Sequence, residues 1–208
     1  SGDCVMLDSR FRRLIDPPLD ALARHIAGAG STADQLTVAG AVFGIAAAAA
    51  IMLGAFAIAL VLFAAGRIVD GLDGAVARQS QSTDRGALLD ITLDFLVYAA
   101  IPLAFAVHDP ARNALAAATL LAAFLINGTA FLAFALMAER QKLETTAQGR
   151  KSIYYLAGLA GGSETIIAFV AFCLLPSWFP VLAFAFAALC FVSGSARILI
   201  AAQRLGKT

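Results

Sequence analysis

Two short runs of the chain hold the groups that could do chemistry. Asp70-Gly-Leu-Asp73-Gly74-Ala-Val-Ala77-Arg78 is followed by Gly86-Ala-Leu-Leu-Asp90-Ile-Thr-Leu-Asp94. On a helix, at 100° per residue, Asp73, Gly74 and Ala77 fall within about 60° of Asp70. One face then carries two carboxylates beside two very small residues. Carboxylates three residues apart repel each other unless a cation sits between them. Gly74 and Ala77 leave room for a flat group or a phosphate to approach the backbone. In the second run Gly86, Asp90 and Asp94 follow at four-residue steps, again on one face, and Gly86 lets a neighbouring helix come close. Bringing the two faces together gathers four carboxylates around one cavity. Oxygen-only ligation suits a hard cation, Mg²⁺ or Mn²⁺. Four carboxylates suit two ions better than one, and paired metals serve phosphoryl chemistry by clamping attacking and leaving oxygens. Arg78, one residue past the small face, can offer a fork of donors to a diphosphate.

The elements that must position these groups are membrane helices. The chain has 208 residues, 61% of them hydrophobic and only 14% charged, with a mean hydropathy of +0.84. A soluble domain is nearer 45–50% apolar, so an all-α integral membrane protein is expected. Carboxylates inside such a protein are costly and persist where they pair, bind metal or move protons. The net charge of +1 points to no nucleic-acid partner. Cys4, Cys173 and Cys190 have no metal-site or disulfide spacing, and the last two read as small buried hydrophobes.

Residues 1–30 are expected to form an amphipathic juxtamembrane segment ahead of a six-helix transmembrane domain over 31–208. Within the segment, Leu7, Phe11, Leu14, Ile15, Leu22 and Ile26 recur at roughly helical spacing with charges between them. That pattern predicts an amphipathic helix, lying on the membrane surface or packed on the protein itself. Carrying Arg10, Arg12, Arg13, Asp16, Asp20 and Arg24 and no long apolar run, the segment does not read as a secretory signal. Thr32 and Gln35 have the form of a capping box opening the first span. No residue from Gln35 to Gly66 is charged. As one helix that run would be roughly 48 Å long at 1.5 Å per residue, against a hydrocarbon core of about 30 Å. Two spans joined by a tight turn near Gly54 fit better. The expected spans cover about 33–52, 55–79, 84–107, 111–138, 152–175 and 181–201, with Asp109 as a cap and Trp178 at an interface.

Six spans put both termini on one side. That side holds Arg10, Arg12, Arg13, Arg24, Arg78, Arg85, Arg140, Lys142, Arg150, Lys151, Arg204 and Lys207, whereas the opposite loops offer only Arg112. Both termini are therefore expected in the cytoplasm, with the aspartates near the cytoplasmic ends of spans two and three. A bacterial inner membrane is the expected location.

At these residues the chain resembles the CDP-alcohol phosphotransferase family. The family signature is matched by Asp70, Asp73-Gly74, Ala77-Arg78, Gly86, Asp90 and Asp94. The departure is the gap from Gln79 to Arg85, one residue shorter than usual, in the loop between helices. The six-span plan with a preceding surface helix is also similar, so the likeness covers nearly the whole chain. It implies a homodimer that transfers a substituted phosphate from a CDP-linked lipid, commonly CDP-diacylglycerol, to an alcohol acceptor, with release of CMP. It implies that Asp70, Asp73 and Asp90 hold the metals, and that Asp94 contacts a metal and deprotonates the acceptor hydroxyl. Gly74, Ala77 and Arg78 would surround the cytidine diphosphate. Asp34 and Thr37 match a family spacing near the nucleotide, although Asp34 is also well placed as a first-turn helix residue.

The acceptor is less defined. Phe95 follows Asp94 where a basic residue would favour a glycerol-phosphate or inositol-phosphate acceptor. Arg85, Arg150 and Lys151 are able to bind an acceptor phosphate or, equally, to meet lipid headgroups at the rim. Glu164 and Asn127, at similar depth in spans five and four, suit either a helix-to-helix hydrogen bond or a polar acceptor pocket. Tyr154 and Tyr155 read as interfacial anchors. Three other readings compete. One or two aspartates could be satisfied by ion pairs with Arg67, Arg78 or Arg85. A proton- or cation-coupled carrier also explains intramembrane carboxylates, but not the Gly-Ala face or the adjoining arginine. A membrane prenyltransferase also uses aspartate-bound Mg²⁺, but wants more spans and two separated aspartate motifs.

Overall fold

Several helix starts that the structure describes are closed by a side chain or a proline that the sequence places there. The computed structural model describes residues 32–79, 83–140 and 161–205, with side chains over 32–72, 83–137 and 161–203. The expected amphipathic helix, the residues Arg150, Lys151, Tyr154 and Tyr155, and the start of the fifth span lie outside the described residues. Among the described residues the helices follow in order α1 (Ala33–Met52), α2 (Phe56–Gln79), α3 (Asp84–His108), α4 (Pro110–Arg140), α5 (Gly162–Leu174) and α6 (Phe179–Leu205), with a 3-10 turn at Pro176–Trp178 before α6. Among the described residues there is no strand.

Helix α1 opens on the expected capping box. The Gln35 amide donates to Thr32 Oγ1 at 3.3 Å, and the Thr32 amide donates back to Gln35 Oε1 at 3.1 Å. The break after α1 falls at Gly54, whose φ of 74° lies in the left-handed region that favours glycine. The Gly54 amide closes this turn on the Ile51 carbonyl at 2.9 Å. Thr83 caps α3 by accepting from the Gly86 amide at 3.0 Å. Asp109 caps α4, accepting from the Arg112 amide at 3.2 Å, with Pro110 in the first helical position. Pro176, which cannot continue a helix, follows the end of α5.

The chain divides into two compact units, one from residues 1–50 and 58–100, the other from 51–57 and 101–208. In the second unit α4 and α6 pack along one another, and Gly194 of α6 lies so close to α4 that a Cβ there would stand 3.2 Å from Asn127 Cα. Beside them is an aromatic core. Phe105 and Phe179 stack at 4.2 Å between centroids with an interplanar angle of 4°. Phe172 meets both of them edge-on, and Phe124 meets Phe169 and Phe186. Asn113 is buried, and its side-chain amide donates to the Phe105 carbonyl at 2.9 Å. Cys173 and Cys190 are buried, as the sequence implied.

Among the described residues four stretches are long and apolar enough to cross a membrane: Ala33–Met52, Asp84–His108, Pro110–Met137 and Pro176–Gln203. Helix α2 has the length, at 24 residues, but carries Arg67, Asp70, Asp73 and Arg78. The described part of α5 is 13 residues. Large apolar side chains such as Leu53, Val61, Leu115 and Ile167 are mostly exposed. Lipid is the solvent that tolerates such a surface.

Candidate active site

The first unit brings together α1, most of α2 and the first two-thirds of α3, and its packing depends on glycine. A Cβ on Gly40 would stand 3.2 Å from the Gly66 carbonyl oxygen, and one on Gly66 would stand 3.0 Å from the Gly40 carbonyl oxygen. The crossing of α1 and α2 is therefore backbone on backbone. Asp70 lies one turn beyond it, its Cβ 3.5 Å from the position of a Cβ on Gly40. Gly44, one turn further along α1, takes the two methyl groups of the fully buried Val97 of α3. Val97 is three residues past Asp94. The two contacts fix α2 and α3 against the same stretch of α1.

The result is a shared cation. A single guanidinium nitrogen, Nη1 of Arg67, donates to Asp94 Oδ1 at 2.8 Å and to Asp70 Oδ2 at 3.3 Å. Carboxylates from two helices, expected from the sequence to converge, do meet at one positive charge. Arg67 is largely shielded, with 12% of its side chain exposed, against 24% for Asp70 and 29% for Asp94. Its guanidinium carbon lies 5.8 Å from the centroid of the Phe63 ring, a cation–π distance. Removing the arginine would leave two half-buried carboxylates near each other, at a cost of about 1–3 kcal/mol after discounting for their exposure.

Asp90 lies one turn before Asp94 on the same face of α3 and is exposed. Asp73, Gly74, Ala77 and Arg78 belong to α2, but their side chains lie outside the described ones. Among the described residues no three carboxylate, histidine or cysteine side chains gather to ligate one ion. Asp70 and Asp94 nevertheless fit a hard cation by the chemistry of their donor set. They are all-oxygen, anionic, and already converge on a positive atom.

At the start of α1 a second ion pair forms. Asp34 Oδ2 lies 3.4 Å from Nε of Arg85, which is 80% exposed. A Cβ on Gly86 would come within 3.1 Å of Asp34 Oδ1. Gly86 thus admits the Asp34 carboxylate to the head of α3. Thr37, in contrast, is buried, and its hydroxyl donates to the Ala33 carbonyl at 3.0 Å. In the other unit, Glu164 has a local task. Its Oε2 accepts from the Gly161 amide and from the Ser163 hydroxyl, each at 3.0 Å, and so closes the first turn of α5.

Arg67 is the site residue missing from the sequence-derived set. It was visible there only as a possible ion-pair partner. The signal was its position: a lone cation in an apolar run, three residues before Asp70, where side chains on a helix are neighbours.

Helices of membrane-spanning length and a carboxylate pair gathered on a cation define a polytopic helical membrane protein with a charged site. The comparisons with known proteins make the class specific. The model of the CDP-alcohol phosphatidyltransferase family matches residues 31–195. The inner membrane protein YnjF of Escherichia coli is 43% identical over 193 residues, covering 93% of this chain and 94% of that one. An archaetidylinositol phosphate synthase of Pyrococcus horikoshii is 29% identical over 120 residues, 57% of this chain and 64% of that one. Among solved structures, a phosphatidylinositol phosphate synthase of Mycobacterium tuberculosis with CDP-DAG bound superposes with a TM-score of 0.65 at 19% identity, covering 88% of this chain and 93% of that one. At that identity the likeness concerns the fold. The chain belongs to the CDP-alcohol phosphatidyltransferase family and is a transferase of substituted phosphate groups.

Proposed function

We propose that the protein transfers a phosphatidyl group from CDP-diacylglycerol to an alcohol, releasing CMP, in phospholipid synthesis. The observation that carries this reading is the convergence of Asp70 and Asp94, from separate helices, on one cation. The donor lipid has its diphosphate at the membrane interface, where the acidic ends of α2 and α3 lie in the proposed topology. Support for the lipid donor comes from the family match and from the CDP-DAG bound to the M. tuberculosis synthase.

Asp70, Asp73, Asp90 and Asp94 would hold one or two divalent cations, Mg²⁺ or Mn²⁺. Such ions, when bound, neutralise charge on the diphosphate and on the leaving CMP. Gly74 and Ala77 keep the face of α2 low, so that the cytidine diphosphate lies against backbone. Arg78 presents paired donors to the phosphates. Asp34, with Thr37 behind it, borders the nucleotide, and Gly86 and Arg85 close the head of α3 over it. Asp94 takes the proton from the acceptor hydroxyl. The hydroxyl oxygen attacks the lipid-side phosphorus, the bond from that phosphorus to the bridging oxygen breaks, and CMP leaves with that oxygen. Asp94 then returns its proton to solvent.

In this reading six helices span the membrane, both termini are cytoplasmic, and two copies form a homodimer. The YnjF relative supports a bacterial inner membrane. The test is CMP release from CDP-diacylglycerol by purified protein across a panel of alcohols, with Mg²⁺, with Mn²⁺ and with chelator. Turnover with at least one alcohol that stops on chelation supports the proposal. Failure of every alcohol to release CMP refutes it.

A further inference from the structure

A family transferase needs its carboxylates free for metal, yet two of them are held by the protein's own arginine. Resting on the metal-dependent reading above, we propose that Arg67 is a positioning residue that acts as a tethered placeholder for a divalent cation. Its Nη1 stands between Asp70 and Asp94, at 3.3 and 2.8 Å, where an ion shared by the two carboxylates would have to sit. It gives way when such an ion binds.

Three observations favour a placeholder over a plain structural ion pair. First, one nitrogen serves both carboxylates. A guanidinium that binds a single carboxylate through its fork uses two nitrogens in parallel, and Arg67 instead presents a point of charge. Second, Arg67 Nε is buried without a hydrogen-bond partner among the described residues. A site optimised around this arginine would satisfy that donor. Third, Arg67 stands on α2 one turn before Asp70, so its long stem can withdraw along the helix without moving the backbone. The Phe63 face, 5.8 Å from the guanidinium carbon and one further turn back, is a ready resting place for the charge.

The arrangement solves a folding problem. Without metal, neighbouring carboxylates in a low-dielectric setting push the helices apart. The arginine neutralises them until the ion arrives, and a monovalent tethered cation yields to a divalent one by simple charge. Its price is metal affinity, because the guanidinium both occupies the ligands and repels the ion.

The test uses full-length protein in detergent, stripped with chelator, and titrated with Mn²⁺ alone while free Mn²⁺ is read by electron paramagnetic resonance. Arg67→Gln should bind Mn²⁺ about tenfold more tightly than the wild type, a change of about 1.4 kcal/mol. Its metal-free melting temperature should fall by roughly 3–8 °C, and saturating Mn²⁺ should close that gap. Arg67→Lys keeps a charge but loosens the bridge, so its Mn²⁺ midpoint should move the same way by about threefold. It carries the test if Arg67→Gln does not fold. An unchanged or weaker Mn²⁺ midpoint in these variants, or a melting gap that saturating Mn²⁺ leaves open, overturns the placeholder role and leaves the metal site standing. A wild type that takes up no Mn²⁺ brings down the metal-dependent reading itself, and this inference with it.

Discussion

Gly44→Ala is the substitution for which the structure yields the sharpest magnitude. The added Cβ would lie 2.5 Å from Val97 Cγ2 and 2.9 Å from Cγ1. Both distances are far inside contact, and Val97 is fully buried with a stiff β-branched side chain. It has no open side to turn toward. Overpacking of this kind costs about 1–3 kcal/mol, and the rigidity of Val97 argues for the upper half. Alanine also gains about 0.8–1.0 kcal/mol over glycine in a helix interior, which must be separated from the clash. Gly71→Ala makes the same helix gain with no atom within 4 Å of its new Cβ. Gly44→Ala should therefore melt below Gly71→Ala by about 2–3 kcal/mol, or roughly 4–12 °C at 2–4 °C per kcal/mol. Gly71→Ala should melt slightly above the wild type. The assay is thermal unfolding of both variants and the wild type in one detergent. Adding Val97→Ala to Gly44→Ala should recover stability, giving a coupling of at least about 1 kcal/mol in the double-mutant cycle. Because Val97 lies one turn past Asp94, CMP release should fall in Gly44→Ala and recover in the double variant. If Gly44→Ala and Gly71→Ala melt within about 2 °C of each other, the close approach of α1 to α3, and with it the account of how Asp94 is held, is wrong.

Other outcomes follow from the same geometry. Asp94→Asn keeps the shape of the site but cannot accept a proton, so CMP release should drop by about 10²–10⁴, while donor-dependent thermal stabilisation persists. Full activity in that variant would remove Asp94 as the base. Arg85→Ala breaks a pair whose cation is 80% exposed, so melting should change by no more than about 1 kcal/mol equivalent; a larger loss would mean that the pair is structural. Gly86→Ala would press on Asp34 Oδ1 from 3.1 Å, and should raise the KM for the CDP-linked donor more than it lowers kcat. The reverse split would place Asp34 away from the nucleotide.

The parts of the fold that local chemistry controls were readable from the sequence. Thr32 with Gln35, Gly54 and Asp109 each mark an element end, because a cap, a positive φ or a first-turn acceptor is decided within four residues. The face of α3 was readable in the same way, since periodicity within one helix places Asp90 one turn before Asp94. Periodicity does not say how far one helix is rotated about its axis relative to another. That rotation is set here by the backbone contact of Gly40 with Gly66 and the seat of Val97 on Gly44, long-range pairings that no local pattern announces. Glu164, whose depth suggested a tie between helices or an acceptor pocket, also has a local partner that its sequence position offered: its carboxylate accepts from the Gly161 amide three residues earlier, the reciprocal half of a capping box. Arg67 needed both kinds of information. Its i,i+3 relation to Asp70 is local, whereas its shorter bond, to Asp94, depends on the rotation of α3. An arginine three residues before an acidic motif was therefore only half legible: the pair with Asp70 could be read from spacing, but the bridge to Asp94 could not.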